Sequence, residues 1–123
     1  MNTSLPVLVV DDSSTIRMIV TKHLNGLGYS NVDLAEDGNA ALELLGKRQY
    51  ELMISDWEMQ PMGGEQLLKA VRENTKTFKL PVIMITATAT RGTSWLAGAN
   101  AYLSKPFTKS DFQKAIKTVF GTR

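Results

Sequence analysis

The side chains best suited to chemistry stand at the ends of the apolar runs of this sequence. They are three carboxylates, one hydroxyl and one amine: Asp11, Asp12, Asp56, Thr86 and Lys105. If the apolar runs are parallel strands, their carboxyl ends meet at one edge of a sheet, where α/β proteins bind ligands. We therefore expect these five side chains to lie close together.

Three clustered carboxylates repel one another, so that ionising all three without a cation is unfavourable. A hard divalent ion removes this repulsion, and Mg²⁺ prefers oxygen ligands while keeping several of its waters. Lys105 would supply a point charge for a phosphoryl oxygen, and Thr86 a hydrogen-bond donor for another. The set therefore predicts phosphoryl chemistry, in which positioning and charge neutralisation supply most of the catalysis. Each residue alone has a structural alternative; Asp12, for example, could cap a helix.

The elements that must position these groups are five short apolar runs rich in Val and Ile. They comprise residues 5–10, 32–35, 52–55, 82–86 and 101–103. Most show no alternation of apolar and polar residues, which is typical of parallel strands buried on both faces. The stretches between them have helical spacing. This order predicts an α/β fold with a doubly wound, five-stranded parallel sheet of the flavodoxin-like type, and a single domain over residues 1–123.

The predicted helices carry recognisable start signals. Ser13 or Ser14 would cap the first, Asp37 the second, and Thr108 with Asp111 forms a capping-box pattern before the last. The first apolar stripe consists of Ile16, Ile19, Val20, Leu24 and Leu27. Gly46 is expected to end the second helix.

The fourth crossover, residues 87–100, differs from the others. It begins Ala-Thr-Ala-Thr-Arg-Gly-Thr-Ser, and only Trp95 and Leu96 offer large apolar side chains. Thr and Gly are poor helix formers, so the pattern predicts a shortened or irregular fourth helix. We expect this segment to be mobile at rest and to become ordered on activation.

Composition limits the remaining possibilities. The chain has 123 residues, of which 43% are hydrophobic and 21% charged, as expected of one globular domain. The absence of cysteine excludes disulfides, thiol chemistry and cysteine-bound metals. A net charge of +2 with scattered Lys and Arg argues against a nucleic-acid partner. The apolar run 5–10 is too short for a signal peptide or a membrane span, so we expect a cytoplasmic protein with no membrane partner.

Four short motifs resemble the receiver domains of two-component response regulators. They are Asp11-Asp12 after Leu-Val-Val, Asp56-Trp57 within Met-Ile-Ser-Asp-Trp-Glu-Met, Thr86-Ala87 after Ile-Met-Ile, and Lys105-Pro106-Phe107. The resemblance extends over residues 5–120. The Asp-Trp pair and the lack of an output domain are most similar to the CheY-like single-domain branch, used in chemotaxis.

The resemblance implies a role for each acidic residue. Asp56 would be the nucleophile and phosphorylation site. Asp12 would bind Mg²⁺ directly and Asp11 mainly through water, while Asp56 and the backbone carbonyl of Glu58 would complete the protein ligands. Trp57 would either cover the site or simply pack beside it.

The resemblance also implies a switch. Lys105 would pair with the phosphoryl oxygens, and its peptide bond to Pro106 would be cis. Thr86 would move to hydrogen-bond the phosphoryl group, and Tyr102 stands where the family keeps an aromatic residue that swings inward on activation.

Two departures from the family pattern bear on function. Glu58 replaces a smaller or neutral residue found in many members. Thr86 and Lys105 are nineteen positions apart, about one helical turn fewer than usual, on the face where the family often docks partners.

These observations predict a stand-alone, monomeric response regulator that takes a phosphoryl group from a histidine kinase or a histidine phosphotransfer protein and signals through protein contacts. It would not be an enzyme in the ordinary sense, because it assists only its own phosphorylation and dephosphorylation. One alternative is a constitutive adaptor or phosphate sink that keeps the acidic pocket without a conventional switch. Another is a small flavin-binding module, whose phosphate loop would have to replace Asp11-Asp12. The motifs do not identify the downstream target.

Overall fold

A parallel sheet forms the centre of the computed structural model, which describes residues 4–87 and 98–121. The strands are β1 (Val7–Val10), β2 (Val32–Ala35), β3 (Leu52–Asp56), β4 (Val82–Thr86) and β5 (Ala101–Ser104). The helices in these residues are α1 (Ser14–Gly26), α2 (Gly38–Lys47), α3 (Gly64–Glu73) and α4 (Lys109–Phe120). The strand order is β2-β1-β3-β4-β5, and every neighbouring pair is parallel.

The two faces of the sheet are covered by different helices. Alternate side chains of the central strands, such as Leu8, Met53 and Met84, pack with residues of α2 and α3. The intervening ones, such as Ile54 and Ile83, pack with residues of α1 and α4. Strands β1, β3 and β4 are buried at every position, as the runs without alternation predict. The predicted doubly wound fold is confirmed.

The helices begin where their capping residues predict. Ser13 Oγ accepts a hydrogen bond from the Ile16 amide at the start of α1, and Asp37 Oδ1 accepts one from the Ala40 amide at the start of α2. Thr108 and Asp111 cap each other reciprocally before α4, with both bonds 3.0 Å long. These contacts satisfy amide groups that have no partner within the helix.

Gly46 does not end the second helix, because α2 continues to Lys47. Ile19 belongs to the predicted stripe but is 39% exposed, so it lies at the rim of that face of α1. The predicted irregular helix, and its ordering on activation, concern residues 88–97, which lie outside the described residues. The chain is described again from Gly98.

The loop between β3 and α3 is held close to the end of β3. A Cβ atom added to Gly64 would lie 2.5 Å from the carbonyl oxygen of Asp56, so only glycine fits this approach. The peptide bond before Pro106 is cis, as the resemblance implies, and the bond before Pro61 is also cis. No helix within residues 4–87 and 98–121 is long and apolar enough to cross a membrane.

Candidate functional site

Strand register brings the predicted chemical groups to one edge of the sheet. Val10 is paired with Ser55, so Asp11 and Asp56, one residue further on, are neighbours. Thr86 ends β4 beside Ser104, and Lys105 follows directly. Asp11, Asp12 and Asp56 each offer a carboxylate oxygen, and these oxygens lie within 4.8 Å of one another.

Asp11 is held firmly through one carboxylate oxygen. Its Oδ1 accepts a hydrogen bond of 2.8 Å from the Ser13 amide, and Arg17 donates to its backbone carbonyl. Its Oδ2 is buried and has no hydrogen-bond partner among the described residues. Burial raises the pKa of Asp11, although the bond from Ser13 partly opposes this. A buried carboxylate oxygen without a donor fits a cation ligand.

Asp56 is 2% exposed and forms an ion pair. The Lys105 Nζ atom lies 3.1 Å from its Oδ1. Burial, followed by the negative charge of Asp11, raises the pKa of Asp56 to about 6 despite Lys105. Burial would lower the pKa of Lys105, but its hydrogen bond to Asp56 and the negative charges of Asp56, Asp11 and Glu58 raise it overall. One ammonium group therefore does not neutralise this acidic edge.

The donor set fits a divalent cation. Asp11 and Asp56 are buried while Asp12 is exposed, so the cluster opens to solvent on one side. Oxygen ligands with room for water are what Mg²⁺ requires. The division into direct and water-mediated ligands stays a prediction.

Glu58 contacts Thr86 through its side chain, which the sequence did not predict. Thr86 Oγ1 donates a hydrogen bond of 3.2 Å to Glu58 Oε1, and the Ala87 amide points to both carboxylate oxygens at 3.3 and 3.4 Å. Thr86 is 1% exposed, so its hydroxyl is shielded from solvent. The only sequence signal was an acidic residue two positions after Asp56, where the resemblance assigned a backbone role.

Tyr102 and Trp57 do not belong to the carboxylate cluster. Tyr102 is 49% exposed and lines a surface groove of about 600 Å³ between β5 and α4. Trp57 is partly buried against the core under α2 and α3, which favours the packing role. The structure thus brings together Asp11, Asp12, Asp56, Lys105, Thr86 and Glu58, and leaves Tyr102 at the surface.

The arrangement has close counterparts in other proteins. Residues 7–117 match the family described as the response regulator receiver domain. This chain belongs to that family. The receiver domain is 39% identical to chemotaxis protein CheY-3 of Vibrio cholerae, in an alignment that covers 98% of this chain and 95% of that protein.

Solved structures agree with this assignment. A putative response regulator from Chloroflexus aurantiacus has a TM-score of 0.88 at 31% identity, covering 97% of the receiver domain and 99% of that chain. Response regulator TrrA of Thermotoga maritima, in complex with Mg(2+)-BeF, has a TM-score of 0.84 at 29% identity. The match covers 94% of the receiver domain and 98% of that chain. The resemblance and the fold expected from the sequence are confirmed.

Proposed function

We propose that this receiver domain accepts a phosphoryl group on Asp56 in an Mg²⁺-dependent reaction. The observation that carries the proposal is the position of Asp56, whose buried carboxylate lies between an ammonium group 3.1 Å away and the acidic pair. The donor would be a histidine kinase or a histidine phosphotransfer protein, in the cytoplasm. The Vibrio relative is named a chemotaxis protein, which supports a role in two-component signalling of that type.

The reaction would proceed by displacement at phosphorus. An oxygen of Asp56 forms the new P–O bond while the P–N bond to the donor histidine breaks, and the imidazole leaves. Lys105 lies where it can pair with an oxygen of the transferred group. Asp11 and Asp12, with the Glu58 carbonyl, would hold Mg²⁺. The bound ion would neutralise charge on the phosphoryl oxygens, which is its usual contribution to phosphoryl transfer.

The contact between Glu58 and Thr86 suggests how the switch is set in this chain. The Thr86 hydroxyl, which would hydrogen-bond the phosphoryl group, donates to Glu58 in this structure. The two acceptors compete for one proton, because a hydroxyl donates a single hydrogen bond. Glu58 therefore favours the resting state, and the phosphoryl group must displace it from Thr86. Movement of Tyr102 from its exposed position stays a prediction.

The proposal is tested by labelling with acetyl phosphate, followed by mass spectrometry of the intact protein and its peptides. The wild type should gain one phosphoryl group on Asp56 only when Mg²⁺ is present, and Asp56→Asn should gain none. Glu36→Gln is the matched control, because Glu36 is an exposed acid that follows β2 at the same edge. Phosphate on another residue of the wild type would overturn the assignment of Asp56.

Backbone amide spectra, recorded beside this labelling, separate the switch from the adaptor or sink alternative. A switch should change its backbone amide spectrum at Thr86 and Tyr102 when beryllofluoride and Mg²⁺ are added. An adaptor would respond to Mg²⁺ alone. A phosphate sink would be labelled without a change at Tyr102.

A further inference from the structure

A second cleft lies at the opposite edge of the sheet, where β3 and β4 begin. Its volume is about 600 Å³. One wall is formed by residues 45–51, which comprise the end of α2 and the loop to β3, and the other by residues 75–81 in the loop between α3 and β4. Strands β3 and β4 have five residues each, so roughly 13 Å of strand separates this amino edge from Asp56. The function proposed above makes no use of it.

The cleft concentrates positive charge. Its walls contain four cations, Lys47, Arg48, Lys76 and Lys79, and a single acid, Glu51. These residues are scattered in the sequence, and the whole chain has a net charge of only +2. Folding therefore collects charge that appears dispersed along the chain.

Part of this charge is unpaired. Lys47 makes an exposed ion pair with Glu43, and Arg48 is bound to Asp33 at 2.7 Å. Neither Lys76 nor Lys79 has an ion pair within the described part of the chain. The wall formed by residues 75–81 thus offers two ammonium groups that no carboxylate of the described residues neutralises.

An aromatic side chain lies between these lysines in the sequence. Phe78 is 48% exposed, and the Lys79 ammonium lies 5.5 Å from the centre of its ring. Tyr50 and Leu80, both buried, also line the cleft. Apolar surface flanked by cations favours a ligand that carries both apolar and acidic groups.

The wall is held in place before any ligand binds. Arg72 donates hydrogen bonds to the carbonyl oxygens of Phe78 and Leu80, at 3.2 and 2.7 Å. Thr77 Oγ1 donates to the Val71 carbonyl, and the Leu80 amide donates to the Thr77 carbonyl. Because the loop is already ordered, binding would require little further loss of conformational entropy.

We propose that this cleft docks an acidic segment of a partner protein, with one aromatic or aliphatic side chain packed on Phe78. Cations stand on both walls, so an extended segment can direct successive carboxylates to the two sides while its apolar residue enters between them. Docking here leaves the carboxyl edge open, so the partner can stay bound while Asp56 is phosphorylated or dephosphorylated.

The test uses a fluorescein-labelled peptide of alternating Glu and Asp with one central Phe, titrated by anisotropy. Lys76→Glu/Lys79→Glu should weaken binding at least about tenfold, since each lost and reversed charge contributes to the attraction. Lys22→Glu/Lys69→Glu, on exposed faces of α1 and α3, is the matched control with the same net charge, and should change affinity less than about twofold. Amide shifts should map to residues 45–51 and 75–81.

Phe78→Ala separates a protein segment from a simple anion. It should weaken the peptide severalfold and leave inorganic polyphosphate unaffected. Equal losses in the two charge-reversed variants would show that only net charge matters, and would overturn the proposal. Peptide binding that is insensitive to Phe78→Ala, together with tight polyphosphate binding, would also overturn it, because the cleft would then be a small-anion site. Labelling of Asp56 by acetyl phosphate is measured in parallel, so failure here does not depend on the function proposed above.

Discussion

The two edges of the sheet treat polar groups in opposite ways. At the carboxyl edge, Asp11 and Asp56 are buried together, and two of the three buried side-chain atoms without a hydrogen bond in the described residues belong to them. At the amino edge, Arg72 alone reaches four acceptors, and the Tyr50 hydroxyl donates to Asp33. Buried polar groups normally find partners, so the unsatisfied edge is the one that sacrifices stability for chemistry. The satisfied edge supports the fold.

The largest effect expected from this comparison concerns Arg72. Replacing it by Met removes hydrogen bonds to Gly98, Phe78, Leu80 and Asn100, of which those to the Gly98 and Leu80 carbonyl oxygens are partly buried. We expect the free energy of unfolding to fall by about 3 kcal/mol, measured by urea denaturation. Arg72→Lys should recover only part of this, because an ammonium group cannot reach all four acceptors. Lys69→Met, on an exposed face of the same helix, should change stability little; an equal loss there would contradict the argument.

The second effect has the opposite sign and occurs at the carboxyl edge. Because the folded pKa of Asp56 is raised from 3.8 to about 6, the protonated form favours folding below pH 3.8, and this stability is lost as the pH rises through 6. Removing the charge by Asp56→Asn should therefore stabilise the metal-free protein at pH 7, by roughly 2 kcal/mol. Asp12→Asn, at an exposed position, should have a smaller effect.

Magnesium should oppose the stabilising effect of Asp56→Asn. Urea denaturation in Mg²⁺ should stabilise the wild type relative to chelator, because a ligand of the folded state adds to stability. Asp56→Asn should gain less. If both proteins gained equally, the ion would bind elsewhere and the two edges would not differ as described.

The smallest effect tests the contact between Glu58 and Thr86. Glu58→Leu removes the competing acceptor, so beryllofluoride with Mg²⁺ should bind about threefold to tenfold more tightly, which is the range expected for one hydrogen bond. Glu58→Gln keeps an acceptor but loses the charge, and should fall between the wild type and Glu58→Leu. Trp57 fluorescence provides the readout, and Glu65→Gln is the exposed control. Unchanged affinity in both Glu58 variants would remove Glu58 from the switch.

The functional residues of the carboxyl edge could be predicted from the sequence because most of them lie at or next to the ends of strands. Once the apolar runs were assigned as parallel strands, Asp11, Asp56, Thr86 and Lys105 had to meet. Local spacing predicted the caps at Asp37 and Thr108 and narrowed the first cap to Ser13 or Ser14, of which Ser13 makes the capping hydrogen bond.

Loop side chains were not predictable in this way. The direction of the Glu58 carboxylate depends on how the loop after β3 folds back, and no spacing rule encodes it. The cations at the amino edge come from two segments that are distant in the chain, residues 47–48 and residues 76–79, so their positions in the sequence do not show that they form one cluster. Ile19 fits the helical period but lies at the rim of the apolar face of α1. The period predicts the side of the helix on which a residue lies, but not how deeply its side chain is buried.

The strand register has a consequence for how such a site passes between diverging sequences. Each chemical group stands at a paired strand position or within two residues of one, as Asp11 follows Val10, Asp56 is paired with Ile85 and Lys105 follows Ser104. Substitutions that preserve apolar character keep this count, whereas a single inserted residue within β3 would turn Asp56 to the other face. The relative positions of the reacting groups are therefore kept as long as the number of residues in each strand is kept. This accounts for a TM-score of 0.88 with a Chloroflexus protein that shares 31% of its residues.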